Sequence, residues 1–206
     1  MWWFKCSFMM LFHPIEMVTL IKRRRKQIPL LAMLLPFAVS AVLRIISVYT
    51  VNYTVSSVSP KNANIWLELA LAIVPVALWA VACYGFMTIV GGEATFKETF
   101  LLSSYSLMPM LLLQPLAIIL SRVLSAEEAG FYTALQTIMW VWVIVLLFVT
   151  FKESNNISFG KTVAYTLVIL IVMLLIVAVV MLAFALDCQI VMFIEEVASE
   201  LNFFLR

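Results

Sequence analysis

From residue 28 almost to its C-terminus, this chain is a succession of apolar stretches, each about twenty residues or longer and parted only by short polar breaks. A stretch of that length crosses the hydrocarbon core of a bilayer as one helix. Composition agrees: 65% of the residues are hydrophobic and 12% charged, whereas soluble domains are nearer half apolar, so a soluble protein is excluded. The fold class is therefore all-α, a polytopic membrane helical bundle. With 206 residues, no long hydrophilic stretch, no internal repeat and no low-complexity tract, the chain holds one membrane domain and no appended soluble one.

Five spans are predicted, at about 28–51, 64–90, 100–121, 131–151 and 161–186. Their orientation follows from the run Lys22-Arg23-Arg24-Arg25-Lys26 just ahead of the first span. Starting inside at that block, the cytoplasmic segments also carry Lys5, Lys97 and Lys152, and Lys161 begins span five. The outer segments carry Lys61, Arg122 and Arg206, together with Glu127, Glu128, Asp187, Glu195, Glu196 and Glu200. Lys/Arg excess marks the cytoplasmic face, which predicts N-terminus in and C-terminus out in a plasma membrane. The net charge of +2 reports this topology and points to no nucleic-acid partner.

Both ends read as amphipathic helices flanking the spans, which divides the chain into a 1–27 interfacial segment, a 28–186 membrane domain and a 187–206 extracytoplasmic helix. Residues 1–21 are neither signal peptide nor sixth span on this reading. The basic block follows the apolar region instead of preceding it, and a span would bury Lys5, His13-Pro14 and Glu16. Phe4, Phe8, Leu11, Ile15 and Val18 recur at helical spacing, giving an interfacial helix anchored by Trp2 and Trp3 and bent or divided at Pro14. After Asp187, Val191, Ile194, Val197, Ala198, Leu201 and Phe204 share a face away from Glu195, Glu196 and Glu200. That acidic helix is predicted to lie on the outer surface and to favour protein contact over lipid.

The usual catalytic constellations do not assemble. The single His, His13, falls on the predicted inner side and the single Asp, Asp187, on the outer, so a Ser-His-Asp triad is excluded. Cys6, Cys83 and Cys188 give no metal-ligand spacing, and no phosphate-cradling Gly-rich loop is present, so no cofactor or metal is expected. Arg44 is the one charge deep in a span. It either snorkels to the outer boundary or pairs with Glu68, Asp187 or a partner subunit. Ser103, Ser104, Tyr105, Gln114, Thr133, Gln136 and Thr137 are read as interhelical hydrogen-bonding groups, and Ala70, Ala77 and Ala80 as a close-approach face on span two. Pro75, Pro109 and Pro115 lie inside spans and should kink them. Gly91-Gly92 permits positive φ and a sharp exit from span two, Glu93 and Thr95 are placed to bond amides of the next helix, and Lys97 and Glu98 are read as exposed.

Three segments carry a likeness that covers nearly the whole chain: His13-Pro14 ahead of the spans, Gly91-Gly92-Glu93-Ala94-Thr95-Phe96-Lys97-Glu98-Thr99 after the second, and Ser104-Tyr105-Ser106-Leu107-Met108-Pro109 in the third, followed by Pro115. In these the chain resembles the Yip1-domain family of small five-span membrane proteins. Eukaryotic relatives act in vesicle traffic and contact small GTPases through a hydrophilic N-terminal region, which this sequence lacks. It looks more like the compact prokaryotic members, which implies a bacterial plasma membrane. Some of those resemble accessory proteins associated with solute-importer genes. The resemblance thus implies a non-enzymatic accessory or assembly subunit, with membrane lipid and another integral membrane protein as partners, ATP-binding-cassette (carbohydrate) importer subunits first among them. Arg44, Val191, Ile194, Val197, Leu201 and Phe204 are the candidate partner contacts. His13, Pro14, Gly91, Gly92, Tyr105 and Pro109 form the candidate structural motif. A homo-oligomer is compatible with the same features. The alternatives are a small autonomous channel or transporter, or a membrane-shaping protein.

Overall fold

The computed structural model describes residues 9–23, 30–51 and 64–204, with no strand among them. Its helices are Pro14–Arg23 (α1), Leu30–Thr50 (α2), Ile65–Val90 (α3), Phe96–Tyr105 (α4), Met108–Leu120 (α5), Ala129–Ser154 (α6) and Phe159–Phe204 (α7), with a 3-10 turn at Ala126–Glu128. Five stretches are long and apolar enough to cross a membrane: Met33–Thr50, Ile65–Val90, Phe96–Leu120, Ala129–Ser154 and Phe159–Glu196. They match the five predicted spans to within a few residues, except that the fifth runs well past its expected end.

Local chemistry explains where the helices begin. The Asn64 side chain accepts from the amides of Trp66 at 3.1 Å and Leu67 at 3.4 Å, occupying two of the donors that open α3. At the start of α4, Glu98 reaches back to accept from the Thr95 amide at 2.8 Å and its hydroxyl at 2.6 Å. That task therefore belongs to Glu98, which is buried, and not to Glu93. Pro14 opens α1 just after a break at His13, dividing the N-terminal helix because it has no N–H to donate and disfavours the helical conformation at the residue before it. Pro36, Pro75 and Pro115 are carried inside α2, α3 and α5. Pro109 is the second residue of α5, where its missing N–H would have had no intrahelical partner anyway. The step in the third span falls before it, at Ser106–Leu107.

That stepped third span, α4 followed by α5, is the centre of the bundle. It is 61% buried, and every residue from Leu101 to Met110 is buried, while the other spans stand around it. α4 packs on α2 and α3, and α5 on α2 and α6. The packed face of α3 is Ala72, Val76, Trp79, Ala80, Cys83 and Met87. Ala80 belongs to it as predicted, but Ala70 is exposed and Ala77 only half-buried, because the aromatic and branched residues between the alanines set the helix rotation.

α1 does not lie across the end of the bundle. Lys22 sits beside Glu153 at the end of α6, while Leu11 and Phe12 line a cavity with Ile138 and Trp142 in the middle of α6. The segment thus stands alongside α6 over roughly 15 Å, ten residues at helical rise. Its packed face is Met10, Met17, Val18 and Ile21, against Leu101, Leu102, Tyr105 and Leu146. Val18 was expected there, but Ile15 is exposed and Leu11 only partly covered, so the predicted interfacial stripe is rotated. Phe4, Phe8, Trp2 and Trp3 lie outside the described residues.

α7 joins the bundle with its first half alone. Thr162, Tyr165, Ile169, Val172, Met173 and Ile176 face α3 and α6, and from Val177 to Glu196 every residue is exposed. The helix passes Asp187 without a break, so the predicted outer helix is the continuation of span five and not a separate element.

Candidate functional site

The polar networks that cross between elements gather toward the two ends of the bundle. At the end marked by Lys22, the connectors between α3 and α4 and between α6 and α7 are laced together. Gly91 closes α3 with φ 85°, a left-handed conformation in which a Cβ is strained, and the Gly92 amide donates to the Met87 carbonyl at 2.7 Å. Gly92 is needed for a different reason. A Cβ there would stand 2.7 Å from Met87 Cε and 2.8 Å from Asn155 Oδ1. That Asn155 oxygen accepts from the Ala94 amide at 3.4 Å, and Asn156 donates to Glu93 at 2.6 Å. Lys22 completes the lacing, donating to the Glu153 carbonyl at 3.2 Å and lying 4.0 Å from Glu93. Three chain segments are thereby tied through groups that carry no nucleophile with an adjacent base.

Of the candidate motif residues only Gly91-Gly92 lies at this end; the others meet further along, toward the middle of the bundle. Tyr105 is 2% exposed in the cluster that receives Met10, Met17, Val18 and Ile21 of the N-terminal segment. Pro109 lines the cavity that also holds Leu11 and Phe12, next to His13-Pro14. His13 itself is exposed, and its backbone spans the break by donating to Met9 and accepting from Met17. The motif thus seats the N-terminal helix on the stepped span. His13 and Pro14 set its bend, Tyr105 and Pro109 its socket, and Gly91-Gly92 the neighbouring turn. Lys97 is exposed as expected, while Glu98 is buried against Thr95.

At the opposite end, the last turns of α2 meet the first turns of α3. Arg44 Nη2 lies 2.6 Å and Nε 2.9 Å from the same Glu68 oxygen. Of the two readings open for Arg44, the pairing with Glu68 is the one realised, and its candidate role as a partner contact is confined to the remaining donors. Close by runs a second polar chain. Gln114 donates to Ser47 at 3.0 Å, and Gln136 donates to Gln114 at 3.3 Å and to Tyr132 at 3.1 Å, joining α2, α5 and α6. Gln114 and Gln136 were expected to bond across helices, whereas Ser47 and Tyr132 were not anticipated. Thr133, Thr137 and Ser104 instead return their hydroxyls to carbonyls of their own helices. Short hydroxyls close locally, while the longer amides reach across.

The remaining candidate contacts lie on the free half of α7. Val191 and Ile194 are exposed there, together with Ile190, Met192 and Phe193. Val197, Leu201 and Phe204 continue the same helix, with side chains outside those described. Among the described residues, no group of three or more His, Cys, Asp or Glu side chains is placed to hold a metal ion.

No curated protein and no solved structure matches the chain. A family model does: the Yip1 domain, over residues 8–181. That interval begins with the N-terminal helix, includes both laced connectors and all of the stepped span, and ends where α7 has left the bundle. The chain belongs to the Yip1-domain family of multi-pass membrane proteins.

Proposed function

We propose that this protein is a non-enzymatic accessory subunit that docks another integral membrane protein along the free half of α7. One observation carries the reading: the twenty consecutive exposed residues Val177–Glu196 in a continuous helix. At 46 residues α7 is about 69 Å long, more than twice the roughly 30 Å hydrocarbon core. Lipid accounts for the exposure of the part within the core. It does not account for a rigid projection that carries Ile190, Val191, Met192, Phe193 and Ile194 past Asp187. A partner helix or external domain covers that surface in this reading. The finer placement proposed with it is a bacterial plasma membrane, with the Lys22 end cytoplasmic and the end of α7 outside.

The test is purification of the full chain in mild detergent at native expression level, with mass spectrometry of stoichiometric partners. Importer subunits of the ATP-binding-cassette type are the partners to look for first. Truncation after Gln189 should leave insertion intact and lower partner recovery about tenfold or more, since a few buried apolar anchors dominate such contacts. Undiminished recovery would remove α7 as the docking element. A homo-oligomer as the sole complex would favour the alternative of an autonomous channel, to be tested by flux in liposomes.

A further inference from the structure

A small cavity lies where α3, α4 and α6 meet, within about two helical turns of the Lys22 end of the bundle. Every side chain lining it is buried, among them Trp79 and Cys83 of α3, Thr99 and Ser103 of α4, and Thr150 and Ser154 of α6. The centre of a water molecule has about 10 Å³ there in which to move, enough for one water and no more. Sequence spacing builds the site. Thr99 and Ser103 are four residues apart, as are Thr150 and Ser154, so each pair occupies one helix face a turn apart. The packing of α4 on α6 brings the two hydroxyl pairs to the same cavity.

The two pairs differ in what they have left to offer. Thr150 donates to the Leu146 carbonyl at 2.8 Å, and Ser154 donates to the Phe151 carbonyl at 3.1 Å while accepting from the Asn155 amide at 3.1 Å. Both α6 hydroxyl protons are therefore spent, and a lone pair remains on each oxygen. Thr99 and Ser103 are 8% and 3% exposed, and their hydroxyls make no hydrogen bond among the described residues. Each of these two oxygens keeps surface that a water molecule can touch. A buried donor without an acceptor is unfavourable, so the α4 pair calls for a group that accepts twice, and the α6 pair is free to receive two protons.

We propose that this cavity binds one structural water that ties α4 to α6. The water accepts from the Thr99 and Ser103 hydroxyls and donates to the Thr150 and Ser154 oxygens, so donors and acceptors balance around a single oxygen. A cation does not suit the same place. Neutral hydroxyls with no carboxylate beside them do not offset the cost of dehydrating a charge in a buried site. Through Ser154 the water also joins the lacing of the connectors, because Asn155 donates to Ser154 with its nitrogen and accepts from the Ala94 amide with its oxygen. Ser103, read from the sequence as a group that bonds between helices, does so by way of this water.

The first test turns on a sign. Thr99→Val keeps the side-chain shape and removes a proton for which the described residues supply no acceptor. In a dry cavity the change deletes an unpaired hydroxyl, and equilibrium unfolding of the full chain in mixed micelles would show stability unchanged or raised. With the water in place, the folded-to-unfolded ratio should fall about 2–10-fold, the span of one net hydrogen bond. Thr150→Val should lower it too, and the double variant should lose less than the product of the two single factors, because both hydroxyls hold the same water. The second test is direct and needs no variant: a crystal structure of the full chain at a resolution that shows ordered waters. One peak within hydrogen-bond distance of at least three of the four hydroxyls is expected. Stability of Thr99→Val equal to or above wild type, losses that multiply in the double variant, a cavity without density, or direct bonds between the α4 and α6 hydroxyls would each overturn the assignment.

Discussion

Arg44 and Glu68 offer the sharpest quantitative test, because the pair is asymmetric. Removing one member of a buried ion pair costs about 3–5 kcal/mol when nothing replaces it, mostly through the charge left behind. The two members are not equally buried: the Glu68 side chain is 11% exposed and that of Arg44 26%. Arg44→Met strands a carboxylate on a short side chain that cannot reach water. Glu68→Gln strands a guanidinium on a long stem that can, and offers it an amide oxygen in exchange. We expect about 3 kcal/mol for Arg44→Met and about 1 kcal/mol for Glu68→Gln. The double variant buries no charge and keeps the packing, so it should lose about 1–2 kcal/mol, well short of the sum of the single losses. The assay is equilibrium unfolding of the full chain by a denaturing detergent in mixed micelles, followed by tryptophan fluorescence. Equal costs for the two single variants, or strict additivity in the double, would refute the claim that the pair is a desolvated unit and not two snorkelling charges.

The adjacent glycines should fail differently. Gly91→Ala meets no atom but must hold φ 85°, a loss of about 1 kcal/mol, while Gly92→Ala forces its methyl onto Met87 and Asn155 and should lose about 1–3 kcal/mol. Met87→Ala should not rescue Gly92→Ala in thermal unfolding, because Met87 Cβ, itself 2.8 Å from the added methyl, remains. Gln114→Leu breaks the links to both Ser47 and Gln136 and should cost about 1–2 kcal/mol, against about 0.6 kcal/mol for Gln136→Leu at the half-buried end. The same detergent titration reads both, and equal losses would show that Gln114 is not the hub.

The spans were legible because length and continuous hydrophobicity identify a membrane helix almost without regard to what surrounds it. Rotation and pairing were less so. Period-matching along residues 4–18 picked the stripe of Phe4, Phe8, Leu11, Ile15 and Val18; of its described members Val18 holds the buried face, beside Met10, Met17 and Ile21, while Ile15 is exposed and Leu11 half-buried. In a helix apolar on most sides, the socket offered by Leu101, Leu102 and Tyr105 decides the rotation, and that socket is remote in sequence. Arg44 had Glu68 and Asp187 as possible partners on charge alone. The choice fell to Glu68 because α2 and α3 form a hairpin, while Asp187 rides on the free part of α7.

The central position of the third span has a consequence for how the chain enters a membrane. It is the least apolar of the five spans and the most enclosed by protein, whereas the fifth is the most apolar and only 6% buried. A segment carrying Lys97, Glu98, Thr99, Ser103, Ser104, Ser106 and Gln114 partitions poorly into lipid on its own. The α2–α3 hairpin, made earlier in synthesis, already presents the Arg44–Glu68 pair and the Ser47 hydroxyl that Gln114 meets. Insertion of the third span is thereby coupled to docking against helices already in place, while the fifth inserts on its own hydrophobicity.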